Sequence, residues 1–166
     1  MDGPGRPIQY FLSEAACLLG PLIIGIGSSA FTRTVPCKEK QGLMPPPIVF
    51  AIVWPLLYLA LGVATLLTWK NARSAGSARS MGTFQLLVCF IAALIGWWLV
   101  FANICAPLAA FATLVTIAGL GVATSIVLCS MGDWKLTLSG GFVGVVVAWL
   151  CVASYLSWDS MSLRVD

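Results

Sequence analysis

From residue 83 to residue 130 the chain carries no Asp, Glu, Lys or Arg. Such a run cannot cover the outside of a water-soluble domain. It is about twice the ~20 residues that one helix needs to cross a hydrocarbon core of roughly 30 Å. The chain must therefore cross, turn and return. The turn falls at Ala102-Asn103-Ile104-Cys105-Ala106-Pro107, where a side-chain amide and a proline coincide. This predicts spans at 83–101 and 108–130, and the tight turn makes them antiparallel neighbours.

The rest of the chain follows the same rule. Of its 166 residues 60% are hydrophobic and 9% charged, with a mean hydropathy of +0.98. A soluble domain carries about 25% charged residues. The expectation is an all-α integral membrane protein, a single multi-pass domain over 1–166 with the lipid bilayer as its surroundings. Three more spans complete a five-helix bundle, at about 9–32, 46–69 and 136–158. Residues 22–30 superficially suggest a cleavable signal, but the apolar run extends too far and is read as a retained first span.

Five spans put the termini on opposite sides. Basic residues divide as Arg6, Lys70, Arg73, Arg79 and Lys135 against Arg33, Lys38, Lys40 and Arg164, which sets no orientation. The net charge of +3 is dispersed, so no nucleic-acid partner is expected. Trp69, Trp134 and Trp158 close spans as interfacial anchors, and Glu14 is expected at the interface, where a carboxylate is cheaper than at mid-membrane.

The chain offers little to classical catalysis. It has no His, no CxxC, no phosphate-binding loop and no pair of carboxylates within one span. No catalytic residue, metal site or disulfide framework is expected, and the six cysteines act mostly as small hydrophobes. Spans two to five hold no ionisable Asp, Glu, Lys or Arg away from their ends, which disfavours ion-coupled transport. The sequence Gly25-Ile26-Gly27-Ser28-Ser29-Ala30 fits GxGxxA, but no βαβ unit surrounds it, so its small residues are read as allowing close helix approach. Gly140 and Gly144 form a GxxxG for packing within the bundle or between subunits, and Gly119, Gly121 and Ala123 mark small positions on the fourth span.

What remains is aromatic. The second span opens with Pro45-Pro46-Pro47, suited to a first helical turn whose N–H groups have no partner. Phe50, Trp54 and Tyr58 follow at intervals of four, on one helix face. Pro55 lies inside the helix and should kink it or leave a carbonyl free. The stripe either lines a cavity beside the proline or packs against neighbouring helices. Trp54, Trp97, Trp98 and Trp149 fall inside spans, where each indole N–H needs a partner in the core or on a ligand. The polar segment 33–44 is either a lid or a solvated connector.

Five spans, seven Trp and the run Pro45-Pro46-x-x-x-Phe50-x-x-Val53-Trp54-x-x-Leu57-Tyr58 resemble the TspO/translocator protein family, the tryptophan-rich sensory proteins. Gly62 and Trp69-Lys70 extend the match. Gln85-Leu86 resembles the family's Gln-Leu-x-Leu-Asn, and Tyr155-x-x-Trp158 the end of its fifth helix. The resemblance implies a five-helix bundle, commonly a homodimer, with a pocket roofed by the first loop. That pocket accepts a tetrapyrrole such as protoporphyrin IX or haem, or a sterol-like molecule. The implied ligand-binding residues are Pro45, Pro46, Phe50, Trp54, Tyr58 and Phe90, the last at the position of a family Trp.

The chain also departs from the pattern. Leu43 replaces a Trp before the prolines, Cys89 replaces the Asn of the third helix, and Ala153-Ser154 replaces Leu-Asn in the fifth. An acidic residue early in the fourth helix is missing. Asp159 stands where a basic residue would complete a sterol pattern, although reversed patterns occur at Arg6…Tyr10…Leu12 and Arg79…Phe84…Leu86. These changes touch positions that light-driven porphyrin breakdown would use, and that activity is not assigned. The expectation is therefore a non-enzymatic protein that binds a hydrophobic small molecule for sensing or translocation. Of the membranes in which the family occurs, the resemblance puts a mitochondrial one first. The alternative is a structural membrane subunit of a larger assembly. It would keep the fold without the ligand site and turn Trp97, Trp98 and the GxxxG to a partner chain.

Overall fold

The computed structural model describes residues 6–30, 46–103 and 107–162. These form five helices, α1 (Arg6–Ala30), α2 (Pro47–Ala75), α3 (Ala78–Asn103), α4 (Pro107–Cys129) and α5 (Trp134–Ser162), with no strand among the described residues. Each helix is long and apolar enough to cross a membrane. The all-α membrane architecture expected from the sequence is the one that forms.

The helices run past the apolar limits that marked them in the sequence. The stretch between the expected second and third spans is mostly helical, with α2 continuing to Ala75 and α3 starting at Ala78. Only Gly76 and Ser77 separate them. Gly76 takes the left-handed conformation, φ 58°, and its N–H reaches the Ala72 carbonyl at 3.2 Å. Glycine adopts that geometry without a Cβ penalty. Ser77 then caps α3 by accepting the Ser80 N–H at 3.1 Å. Hydropathy reports depth in the membrane, whereas caps set where a helix stops.

Neighbour relations define a closed ring in the order α1, α2, α5, α4, α3, with α2 also touching α3. The most extensive pairing is between α4 and α5. Leu61, Phe90, Leu94, Leu114 and Leu150 are fully buried at its centre. Lipid tails are as apolar as these side chains, so burial alone does not hold the helices together. Close backbone approach and interhelical hydrogen bonds do more.

Glycines provide that approach. A methyl built on Gly62 of α2 would overlap the Leu18 carbonyl oxygen of α1. One on Gly121 of α4 would lie 2.6 Å from Val147 and 2.8 Å from the Phe90 ring. One on Gly140 of α5 would lie 2.9 Å from the Ser125 carbonyl oxygen of α4, and the Ser125 hydroxyl donates to the Gly140 carbonyl at 2.8 Å. Gly140 is thus spent on the α4–α5 pair inside this chain. Trp97 is 6% exposed, with its indole N–H donating to the Ala110 carbonyl of α4 at 3.2 Å. Neither residue is turned outward as the structural-subunit alternative required. Of the small positions on α4, Gly121 faces inward while Gly119 and Ala123 are exposed.

The opposite end of the bundle from the α1–α2 junction is closed by polar contacts. Glu14 pairs with Lys70 at 3.0 Å, and the Arg73 guanidinium lies 4.2 Å over the Tyr10 ring. The ion pair is half-exposed and contributes about 0–1 kcal/mol. Asp133 accepts the Lys135 N–H at 2.8 Å, capping α5, and the Asn71 amide at 3.1 Å.

Candidate functional site: an aromatic cavity between the first three helices

α2 carries Phe50, Trp54 and Tyr58 at intervals of four. Four residues turn a helix by about 400°, so successive rings advance by about 40° around the axis. The stripe therefore fans across three neighbours. Phe50 meets Trp149 of α5 edge-on, ring centroids 6.0 Å apart. Trp54 meets Trp97 and Trp98 of α3 at 6.4 and 6.2 Å, and stacks on Tyr58 at 5.8 Å. Tyr58 lies against Gly25 of α1, where an added methyl would be 2.6 Å from ring carbons. Only glycine at 25 lets the tyrosine ring sit there.

These side chains border a half-open cavity of about 320 Å³, at the end where α1 stops and α2 begins. Gly25 and Ile26 of α1, Phe50, Ala51, Trp54, Pro55 and Tyr58 of α2, and Trp98 of α3 line it. The volume is at the lower end of the roughly 300–1,000 Å³ typical of small-molecule sites. None of the described lining residues is charged.

Polar groups of Trp54, Tyr58, Trp98 and the α2 backbone interrupt the apolar wall. The Trp54 indole N–H is buried and makes no hydrogen bond among the described residues. Tyr58 is 4% exposed and brings its hydroxyl to the same wall. Pro55 has no N–H to offer the Ala51 carbonyl four residues earlier.

Of the residues implied by resemblance, Phe50, Trp54 and Tyr58 come together on the cavity. Pro46 does not. It is exposed at the start of α2, where its carbonyl accepts the Val49 N–H at 2.9 Å. Pro45 and the segment 33–44, the expected lid, lie outside the described residues. Phe90 stands apart from them: it is fully buried beside Gly121 of α4 and is not among the residues that line the cavity. Its phase on α3 sends the ring inward, while Trp98 reaches the cavity. The sequence reading missed Ile26, Ala51 and Trp98 as wall residues, and took Gly25 only as a packing position. A cavity closed by three separate helices has no local signature beyond the small residue opposite the tyrosine.

Among the described residues no group of His, Cys, Asp or Glu could hold a metal ion. Arrangement and wall chemistry define a five-helix membrane protein with a cavity built on the aromatic face of its second helix. The sequence matches the TspO/MBR family over residues 15–162, and the chain belongs to that family. No match was found among curated proteins or among solved structures.

Proposed function

We propose that the cavity binds a rigid, apolar small molecule, a tetrapyrrole such as protoporphyrin IX or haem, or a sterol-like compound, for sensing or translocation without covalent chemistry. The observation that carries this is Trp54. Its ring stands in a cluster with Tyr58, Trp97 and Trp98 beside the cavity, and its N–H is buried with no partner among the described residues. A buried donor left unpaired costs about 1–3 kcal/mol, which a ligand acceptor would recover. Flat aromatic walls suit a flat ligand face. The uncharged lining means that the carboxylates of a porphyrin would lie at the open side. With no His in the chain, haem would be held without a histidine ligand. The family resemblance alone extends this proposal to a homodimer in a mitochondrial membrane.

The test is quenching of tryptophan fluorescence in the purified, detergent-solubilised protein by protoporphyrin IX. Saturable quenching is expected. Trp54→Phe should weaken it several-fold, about the worth of one hydrogen bond, and Tyr58→Ala should weaken it further by removing wall area. A helical sample with no saturable quenching would refute porphyrin binding, and unchanged affinity in both variants would place the site elsewhere.

A further inference from the structure

At the end of the bundle away from the cavity, a row of side chains crosses three helices. The Arg73 guanidinium of α2 lies 4.2 Å from the centre of the Tyr10 ring of α1 and 5.7 Å from that of Trp69. The Trp69 ring lies 5.1 Å from Phe84 of α3. Contact with two rings holds the guanidinium in place, but it gives the five N–H donors no oxygen acceptor. The side chain is exposed. Trp69 and Trp134 put this end at the membrane–water interface, where lipid phosphates lie.

The carboxylates here are engaged elsewhere. Glu14 pairs with Lys70 at 3.0 Å. Asp133 accepts the Asn71 amide at 3.1 Å and the Lys135 N–H at 2.8 Å. Exposed Arg79 stands across the Gly76–Ser77 turn from Arg73. Among the described residues, Lys70, Arg73, Arg79 and Lys135 therefore outnumber the acids at this end. Arg73 and Lys135 lie on different sides of α2. Asn71 faces Asp133 of α5, and Arg73, two residues on, is turned by about 200° toward α1.

We infer that this end of the bundle binds the headgroup of an acidic phospholipid, with its phosphate on the Arg73 fork between α1 and α2. A phosphodiester presents two oxygens that match the paired N–H groups of a guanidinium. The flanking rings have already restricted the arginine, so less side-chain freedom is lost on binding. Phosphatidylcholine carries the same phosphate but adds a cation beside Lys70 and Arg79, where no unengaged carboxylate among the described residues receives it. An acidic headgroup meets no such repulsion.

Native mass spectrometry of the purified protein tests this, in neutral mixed micelles holding equal amounts of phosphatidylglycerol and phosphatidylcholine with the same acyl chains. The wild type should retain phosphatidylglycerol over phosphatidylcholine by about fivefold, the effect of one basic group at an acidic surface. Arg73→Gln should bring the ratio toward one. Arg73→Lys keeps the charge but loses the fork, and should fall between them. Lys135→Gln removes a charge at the same end on the other side of α2, and should leave most of the preference. Equal losses in Arg73→Gln and Lys135→Gln would overturn the Arg73 site in favour of a diffuse surface charge. No retained lipid, or equal retention of the two by wild type, would overturn the lipid itself and leave this patch to an acidic protein segment.

Discussion

Replacing Gly62 with Ala should loosen the contact on which the cavity depends. The added methyl would overlap the Leu18 carbonyl oxygen and lie 2.9 Å from its carbonyl carbon. Ordinary contacts between carbon atoms are about 3.5–4.0 Å. The obstructing atoms are backbone inside a helix, so no rotamer change relieves the overlap. α1 must retreat from α2 by roughly 1 Å. A radial gap of that size forfeits a quarter to a half of each dispersion contact along the interface. Overpacking of this kind costs about 1–3 kcal/mol, and a rigid obstacle favours the upper part of that range. Among the described residues α1 packs only on α2 and α3, and these are the contacts that resist its displacement.

Helix propensity would partly mask the effect, since Ala is favoured over Gly by about 1 kcal/mol. Gly20→Ala cancels this term. Gly20 lies in α1, and a methyl there meets nothing within 4 Å. Reversible unfolding in mixed micelles, followed by far-ultraviolet circular dichroism, should show Gly62→Ala less stable than Gly20→Ala by about 1–3 kcal/mol. Ligand quenching should weaken in the same variant, because Gly25 and Tyr58 separate with the two helices. Equal stability of the two variants would refute the claim that α1 and α2 meet backbone to backbone at Gly62.

Two further outcomes follow from contacts elsewhere in the bundle. Gly121→Ala should destabilise by about 1–3 kcal/mol in the same assay, because Phe90 and Val147 are buried around it, whereas exposed Gly119→Ala should be neutral or slightly stabilising. Asp133→Ala removes the α5 cap and the partner of Asn71 together, and should lower stability by about 1–2 kcal/mol; a change within measurement error would show that the α2–α5 end contact contributes nothing.

The membrane architecture was legible because charge is scarce. An uncharged run too long for one crossing had to be cut, and α3 ends at Asn103 and α4 opens on Pro107, inside the turn chosen for its amide and proline. The helix ends were less legible, because apolarity fades at the membrane edge while the helix continues to its cap. Gly76 followed by Ser77 was the available signal: a left-handed stop and then an N-cap. The α2 wall of the cavity was legible from its spacing, since Phe50, Trp54 and Tyr58 all lie on one helix. The α1 and α3 walls were not. A span that is apolar all round carries no amphipathic phase, so nothing local shows that Trp97 points to Ala110 of α4 while the next residue, Trp98, reaches the cavity.

The positions at which the chain departs from its family pattern now take on a different weight. Cys89, where the family has Asn, is exposed on the outer face of α3. Phe90 beside it is a core residue that fits against Gly121. Ala153 and Ser154 are buried in α5, and the Ser154 hydroxyl turns back onto the Leu150 carbonyl at 2.8 Å. None of them lines the cavity between α1, α2 and α3. The aromatic stripe Phe50, Trp54 and Tyr58 of α2 does, and it belongs to the part of the pattern that is intact. Substitutions on an outer face or in a satisfied core alter packing without adding or removing a polar atom at the wall. The polar side-chain atoms of this cavity therefore belong to Trp54, Tyr58 and Trp98. On the proposed function, ligand selection rests mainly on α2, which carries Trp54 and Tyr58, with Trp98 of α3 beside them and α1 contributing shape.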